Sequence, residues 1–162
     1  MKTILGIDSG LTGALTFYNE EEAIIFDVPT FQITTNGKAK NTVDCHKLLD
    51  IIRSQKPDMA YIENVNAMPG QGVTSMFNMG RTLGRIEMAV MACGIPLTYI
   101  RPQEWKAFFR CPADKDASRK LAGEKYPQFK HNWDLKKHHN RAESFLISVY
   151  GYTKENSSII VK

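Results

Sequence analysis

The order of the apolar segments is the feature that most constrains the fold of this chain. Three short runs rich in apolar and β-branched residues, Thr3–Asp8, Leu11–Tyr18 and Glu22–Val28, follow one another with tight turns between them, which predicts an antiparallel meander. Two later runs, Met59–Glu63 and Leu97–Ile100, alternate with helical patterns, as parallel strands do. We therefore predict an α/β fold with a mixed five-stranded sheet, three antiparallel strands followed by parallel ones, and helices on both faces.

Helical periodicity places the remaining elements. Helices are predicted at Val43–Gln55, Thr74–Cys93, Pro102–Phe109, Asp114–Tyr126 and His138–Tyr150. Polar segments are predicted to be loops at Pro29–Asn41, Asn64–Gly72 and Pro127–Lys137. Because the sequence contains no linker or repeat, we expect one domain over residues 1–151 and a loosely held tail over residues 152–162.

Composition excludes several classes of protein. With 162 residues, of which 43% are hydrophobic and 23% charged, the chain can form a core and differs from disordered sequences. No apolar run reaches the roughly 18 residues that cross a bilayer, so no membrane association is expected. Cys45, Cys93 and Cys111 are far apart and form no disulfide or metal-binding pattern, which indicates an intracellular, cytoplasmic protein.

Positive charge is concentrated in residues 101–141, which we call the basic segment. The net charge of the chain is +4, and the basic segment alone contains 11 Lys or Arg and 5 Asp or Glu. Aromatic residues such as Trp105 lie among these cations, a combination typical of nucleic-acid-binding proteins but also of a solvated basic surface. The candidate phosphate-binding residues are Lys106, Lys115, Arg119 and Lys137.

Two carboxylates stand where predicted central strands end. Asp8 precedes Ser9-Gly10, and Glu63 precedes a glycine-rich loop. A carboxylate in such a place is unfavourable unless it meets a cation or several donors, and ligands of α/β sheets gather at strand ends. Two carboxylates about 4 Å apart repel unless a hard cation such as Mg²⁺ lies between them. A shared metal site is therefore predicted; the alternative is that Asp8 only caps a turn.

Polar residues open the last predicted helix. His139 and Glu143 are four residues apart and share a helix face, with Asn140 near it. These residues either add a carboxylate and an imidazole to the metal site or form an ordinary polar helix start. His138 is expected at the surface, and no cysteine or further histidine completes a zinc site.

The loop before the long helix contains two glycines, Gly70 and Gly72. Such a loop can bind phosphate through backbone N–H groups, but it lacks the GxxxxGK[ST] pattern of P-loop enzymes. Asn66 and Met68 can instead press against unstacked DNA bases, and the remaining interpretation is a plain connection.

These motifs, in this order, resemble the RuvC-type Holliday junction resolvases, with the closest likeness to phage and plant chloroplast members. The resemblance covers residues 3–151, and the matching segments are Gly6–Ala14, Tyr61–Glu63, Met79–Arg85, Pro102–Lys106 and Lys137–Gly151. It implies a ribonuclease H-like fold and an enzyme that resolves four-way DNA junctions. It also implies Mg²⁺ or Mn²⁺, two ions per active site, 5′-phosphate and 3′-hydroxyl products, and a bacterial or phage-infected cell.

The resemblance also assigns roles to individual residues. Asp8, Glu63 and Glu143 match the family's acidic metal-binding positions. The fourth position would fall on Asn140 by the usual spacing, and since some members use histidine there, His139 is predicted as the fourth catalytic and metal-binding residue. By the same resemblance, two lysines match basic positions that meet DNA, namely Lys106 and Lys115.

A homodimer is expected because a four-way junction has near two-fold symmetry and its resolution needs two matched cuts. The predicted helix Thr74–Cys93 is apolar on more than one face, so one side can cover the sheet while another meets its copy. Gly80 and Gly84 would allow close approach of the two helices.

Other functions are compatible with parts of the sequence. Asp8-x-Gly10-x-Thr12 also fits the phosphate loop of actin-like ATPases and sugar kinases, but those enzymes need two lobes and this length gives one, so no nucleotide cofactor is expected. A non-catalytic DNA-binding module of the same fold stays open, as does a nuclease for other branched DNA or for RNA–DNA hybrids.

Overall fold

A computed structural model describes residues 1–114 and 116–157. Seven strands and five helices are named in chain order: β1 (Ile4–Asp8), β2 (Ala14–Tyr18), β3 (Ala23–Asp27), β4 (Thr30–Thr35), β5 (Lys38–Val43), α1 (Cys45–Gln55), β6 (Met59–Glu63), α2 (Val73–Ala92), β7 (Leu97–Ile100), α3 (Pro102–Phe109), α4 (Ala117–Lys125) and α5 (His139–Ser157). Two 3₁₀ segments, Pro127–Trp133 and Lys136–His138, lie between α4 and α5.

The main sheet has the order β3-β2-β1-β6-β7. Strands β1, β2 and β3 form the antiparallel meander, while β6 pairs in parallel with β1 on one side and with β7 on the other. The predicted mixed five-stranded sheet is therefore confirmed. Ile7 lies beside Ile62 in the parallel register, so the next position along both strands places Asp8 beside Glu63.

Helices cover both faces of this sheet, as predicted, because alternate residues of each strand feed two separate apolar cores. One core joins Ile4, Tyr61 and Ile100 to α3, α4 and α5. The other joins Leu5, Ile7 and their neighbours to α1 and α2. By this alternation, Asp8 and Glu63 belong to the face that α5 covers.

Helix α5 lies directly against β1. At Gly6 an added Cβ would overlap the carbonyl oxygen of Ser144 and the backbone nitrogen of Ser148, so only glycine permits this approach. The hydroxyl groups of Thr16 and Ser144 form a buried hydrogen bond of 2.7 Å between β2 and α5. These contacts fix the start of α5 near the end of β1 that carries Asp8.

The prediction of a loop at Pro29–Asn41 was wrong. Strands β4 and β5 form an antiparallel hairpin, in which Thr30 lies opposite Val43 and Thr35 lies opposite Lys38. The turn between them is Asn36-Gly37, with φ values of 50° and 71°. Two consecutive residues with positive φ form the tight turn that matches strand twist, which is why this polar segment pairs with itself.

The C-terminal helix is longer than predicted. Helix α5 continues through Ser157, where the sequence had suggested Tyr150, because Gly151 packs under the Tyr61 ring and the Tyr61 hydroxyl donates a 2.8 Å hydrogen bond to Glu155. Residues 152–157 of the expected tail are therefore helical, and residues 158–162 lie outside the described part of the chain.

The predicted loop between α4 and α5 contains the two 3₁₀ segments, with Trp133 only 1% exposed. In the described residues, none of the helices combines the length and apolar character that a bilayer crossing needs.

Candidate active site

Three carboxylates from distant parts of the sequence converge at one end of the sheet. Asp8 ends β1, Glu63 ends β6 and Glu143 lies in the second turn of α5; we call them the carboxylate cluster. All three are half-buried. The strand register brings the first two together, and the close packing of α5 on β1 brings the third.

Asp8 is the most perturbed member of the carboxylate cluster. Its pKa is raised from 3.8 to about 8, mainly by burial and then by the charges of Glu143 and Glu63. Lys106 opposes this shift. A carboxyl group held between two others in a poorly hydrated place is the arrangement that a bound cation would relieve.

Glu63 is oriented by α3. The indole Nε1–H of Trp105 donates a 2.9 Å hydrogen bond to Glu63 Oε1, and Trp105 is fully buried. Burial raises the pKa of Glu63; the Trp105 hydrogen bond opposes that increase, the charge of Glu143 adds to it and Lys106 counters it. The Lys106 ammonium lies 5.2 Å from the Trp105 ring centroid, in a cation–π contact beside the carboxylate cluster.

Glu143 is held by α4. The Ser118 hydroxyl, on a residue that is 2% exposed, donates a 3.0 Å hydrogen bond to Glu143 Oε1. Each glutamate of the cluster therefore keeps one carboxylate oxygen engaged by a buried donor. Among residues 1–114 and 116–157, no hydrogen bond engages the second oxygen of either glutamate, which is available to a further ligand.

The carboxylate cluster suits a hard divalent cation by its chemistry, because all its donors are carboxylate oxygens and their charges destabilise one another. Within residues 1–114 and 116–157, however, no three His, Cys, Asp or Glu side chains are grouped closely enough to surround a metal ion. The carboxylates would have to draw inward to share an ion.

The structure places His139 and Asn140 in different surroundings. His139 lines a cavity of about 630 Å³ together with Asp114, Asp116, Lys120, Lys136 and Lys137. Asn140 instead donates hydrogen bonds to the carbonyl and hydroxyl oxygens of Thr12, in the turn that follows Asp8.

His138 is half-buried, and its Nδ1 is buried with no hydrogen-bond partner among the described residues. The expectation that it lies at the surface is therefore met only in part. Its nearest charged neighbours include Arg141 and Asp27, which form a bidentate ion pair.

The predicted DNA-binding residues are spread around this end of the sheet. Asn66 and Met68 are exposed in the loop before α2, Lys137 is exposed beside His139, and Lys106 is half-buried at the carboxylate cluster. Arg119 is engaged by Asp116 and by the carbonyl oxygens of Trp133 and Asp134, so its guanidinium ties α4 to the following segment. Lys115 lies outside the described residues.

Three positioning contacts escaped sequence reasoning. Trp105 was noticed only as an aromatic residue among cations, and nothing in the sequence marked Ser118 as the partner of Glu143. The contact between Asn140 and Thr12 joins residues 128 positions apart, which local patterns do not reveal.

Comparison with known proteins shows which fold this is. No family model and no curated protein matches the sequence. Among solved structures, Thermus thermophilus RuvC in complex with a Holliday junction substrate matches with a TM-score of 0.62 and 14% identity over 96% of both chains. The chain has a RuvC-like, ribonuclease H-like fold.

Two further structures agree with this RuvC-like fold. A second Thermus thermophilus RuvC structure matches with a TM-score of 0.57 and 12% identity, over 95% of this chain and 96% of that one. The yeast mitochondrial Holliday junction resolvase Ydc2 matches with a TM-score of 0.56 and 13% identity, over 98% of this chain and 85% of that one. The expected closeness to phage and chloroplast members stays a prediction.

Proposed function

We propose that this protein is a structure-selective endonuclease that resolves four-way DNA junctions. The observation that carries the proposal is the carboxylate cluster, which joins Asp8, Glu63 and Glu143 beside Lys106 at the carboxyl end of two parallel strands. The RuvC-like fold supports it, since the matching structures are named as Holliday junction resolvases or as RuvC with a junction.

In this proposal Asp8, Glu63 and Glu143 would hold two ions of Mg²⁺ or Mn²⁺. When bound, such ions would supply the Lewis acidity that phosphodiester hydrolysis needs, and the expected products are 5′-phosphate and 3′-hydroxyl ends. Trp105 and Ser118 hold one oxygen of each glutamate in place. Lys106 offsets the negative charge and can contact the scissile phosphate.

His139 is proposed to act one helical turn before Glu143, as a metal ligand or as the group that accepts a proton from the attacking water. The half-buried imidazole lies beside Lys137 in the 630 Å³ cavity, where the lysines would also bind DNA phosphates. Lys115, Arg119, Asn66 and Met68 complete the proposed DNA contacts around the site.

Two copies of the chain are proposed to act together. One side of α2 carries an exposed stripe, which we call the apolar stripe, and Gly80 and Gly84 lie within it with open space above them. Its apolar members are 50–87% exposed and comprise Val73, Phe77, Met88 and Met91. A two-fold pairing through this stripe would place two carboxylate clusters on one two-fold junction.

The decisive experiment offers labelled four-way junction, duplex, flap and RNA–DNA hybrid substrates to the purified protein with and without Mg²⁺. We expect paired nicks in the junction only when Mg²⁺ is present. Asp8→Asn and Glu63→Gln should abolish cleavage and keep junction binding, whereas Glu124→Gln, at an exposed carboxylate of α4, should cut normally.

Each other result identifies a different function. Near-normal nicking by Asp8→Asn would overturn the assignment of the carboxylate cluster. Binding of the junction without cleavage in Mg²⁺ or Mn²⁺ would indicate a non-catalytic module. Preference for flap or hybrid would keep the nuclease and change its substrate.

A further inference from the structure

A second groove lies between the β4–β5 hairpin and α2 and reaches the turn after β1. We call it the hairpin groove; its volume is about 320 Å³. Lys40 and Thr35 line it from the hairpin, Arg81 and Asn78 from α2, and Leu11 from the turn after β1. None of the residues proposed for catalysis belongs to it.

The charged residues that line the hairpin groove are all positive. Three cations line it, Lys40, Arg81 and Arg85, and no carboxylate among the described residues does. Its remaining polar lining consists of hydroxyl and amide side chains. Cations surrounded by neutral donors are the groups that hold the phosphates and sugars of nucleic acids in place without reading their sequence.

The strand register adds a further cation to the same surface. Lys40 lies opposite Ile33, and Lys38 lies opposite Thr35. Side chains two residues apart on a strand point to the same side, so Lys38 and Lys40 share the face on which Ile33 and Thr35 line the groove. Lys38 is exposed.

The hairpin is held firmly at its base. Arg85 of α2 donates a hydrogen bond to the Thr42 hydroxyl, and Val43 is buried with 2% exposure in the core under α1 and α2. The Asp44 N–H donates to the Pro29 carbonyl at 2.8 Å, which closes the end of the hairpin. The lysines are therefore displayed on a supported surface.

The hairpin groove is linked to the candidate active site through the turn after β1, and it lies on the other side of the sheet from the basic segment. Leu11 is three residues beyond Asp8, in the turn closed by the hydrogen bond from Gly13 N–H to the Gly10 carbonyl. Helix α2 covers one face of the sheet. The other face is covered by α3 and α4, which belong to the basic segment, and by α5, which begins in it.

We propose that the hairpin groove binds the sugar–phosphate backbone of one arm of the branched DNA substrate, while the basic segment binds another arm. The inference rests on the proposed function and extends it. It assigns a DNA contact to the β4–β5 hairpin, which contains none of the proposed catalytic residues and lies outside the basic segment. Two arms that leave the carboxylate cluster on opposite sides of the sheet would distinguish a branched substrate from a continuous duplex.

The test compares two double variants that remove the same charge. Lys38→Ala/Lys40→Ala changes the exposed face of the hairpin, and Arg53→Ala/Lys56→Ala changes the far end of the sheet, just before β6. Binding of a four-way junction is measured across a range of salt concentrations, with hydroxyl-radical footprints of each arm. Melting temperatures confirm that both variants are folded.

We expect the hairpin variant to reduce the slope of log affinity against log salt by about 1 to 2, since each lost phosphate contact removes roughly 0.9. Its footprint should disappear from one arm only, and the control variant should match the wild type. A hairpin variant with the wild-type slope and footprint would overturn the proposal, as would an equal change in the control.

The outcome also separates this proposal from the proposed function. If the wild type cuts junctions and the hairpin variant binds them unchanged, the nuclease proposal holds and the groove proposal fails. If the wild type binds junctions without cutting them and the hairpin variant has a reduced salt slope, the groove proposal holds and the nuclease proposal fails. Absence of DNA binding by the wild type would overturn both.

Discussion

Asp8 lies where an ionised carboxylate is energetically unfavourable. Its carboxyl group ends a buried strand, with Glu63 in the neighbouring strand and Glu143 in the helix above. Burial and these like charges raise its pKa to about 8, so the protonated form is favoured in the metal-free protein at neutral pH. A carboxyl group that weakens the fold when it is ionised is expected to bind a cation that stabilises the ionised form.

The first prediction concerns the stability of the metal-free protein against pH. The Asp8 carboxyl ionises near pH 4 in the unfolded chain and near pH 8 in the folded one, so between these values the folded state holds a proton that unfolding releases. Stability should therefore fall as pH rises, by up to about 1.4 kcal/mol per pH unit. Thermal unfolding in EDTA from pH 5 to pH 8 measures this dependence.

Asp8→Asn should flatten that pH dependence and raise the melting temperature at pH 8 by at least about 3 °C, which is roughly 1 kcal/mol for a domain of this size. Asp50→Asn, at an exposed carboxylate of α1, serves as the control and should leave the dependence unchanged. Mg²⁺ should then stabilise the wild type more than Asp8→Asn. Equal stabilisation of both would remove Asp8 from the metal site.

The second prediction separates two neighbouring residues at the start of α5. His139→Ala should lower the rate of junction cleavage sharply, because it removes the proposed fourth catalytic group. Asn140→Ala should have a milder effect, because it only frees the turn at Thr12. Single-turnover cleavage with saturating enzyme measures both. A larger loss for Asn140→Ala would show that the amide, rather than the imidazole, serves the carboxylate cluster.

Sequence reasoning reached those residues of the site whose chemistry conflicts with their position. Asp8 and Glu63 are carboxylates at the ends of apolar strands, and that conflict is visible without a structure. Glu143 was a candidate from its spacing to His139, but an ordinary polar helix start explained it equally well until the family resemblance favoured a metal-binding role. Trp105 and Ser118 fit an amphipathic helix as ordinary core residues, and only the folded chain shows what they donate to.

At the scale of elements, the hairpin explains why one prediction failed. The segment from Thr30 to Val43 has little apolar character, so a search for alternating buried positions finds no strand there. The informative signal was the dipeptide Asn36-Gly37, which favours a turn with two positive φ angles and follows two threonines that suit a pleated surface. Turn chemistry, rather than hydrophobicity, specifies this element.

The third prediction tests the contact between β1 and α5. Gly6→Ala should destabilise the protein by about 2–3 kcal/mol, because the added methyl group meets the backbone of α5 and cannot be accommodated by a rotamer change. The melting temperature should fall by roughly 4–12 °C. Cleavage by the folded variant, measured below its melting temperature, should also be slower than that of the wild type, because α5 carries Glu143 and would be displaced.

Gly123→Ala provides the matched control for Gly6→Ala. The nearest atoms to a Cβ at this position of α4 belong to the flexible side chain of Lys130, at 3.5 Å, and to the Trp133 indole nitrogen, at 3.7 Å. Alanine also favours a helix, so the melting temperature should stay the same or rise. Equal effects of the two substitutions would mean that the packing of α5 on Gly6 is looser than the structure shows.

At the scale of the whole molecule, the apolar stripe of α2 is the surface that the single chain leaves uncovered. Phe77 and Met88 are 64% and 62% exposed, on a helix whose other side is packed in the core. The sequence revealed that α2 is apolar on more than one face, because the spacing of apolar residues shows which faces of a helix they occupy. It could not show which face meets the sheet, since that depends on the positions of α1 and β7.

The fourth prediction concerns the oligomeric state. Phe77→Asp/Met88→Lys should convert a dimer into a monomer and uncouple the two cuts, so that nicked junctions accumulate. Analytical ultracentrifugation at micromolar concentration and cleavage of a junction in supercoiled plasmid measure these effects. Leu135→Ser, at a residue that is 54% exposed outside the stripe, should remain dimeric. A wild-type monomer that makes paired cuts would remove the argument for dimerisation.

The distance along the chain between the three carboxylates has a consequence for the order in which the protein is made. Glu143 follows Asp8 by 135 residues along the chain, and synthesis of that many residues takes roughly 7–27 s at 5–20 residues per second. Until α5 emerges, the face of β1 at Gly6 has no cover. The carboxylate cluster is therefore complete only after α5 has packed on β1, and the proposed cleavage of DNA would begin only then.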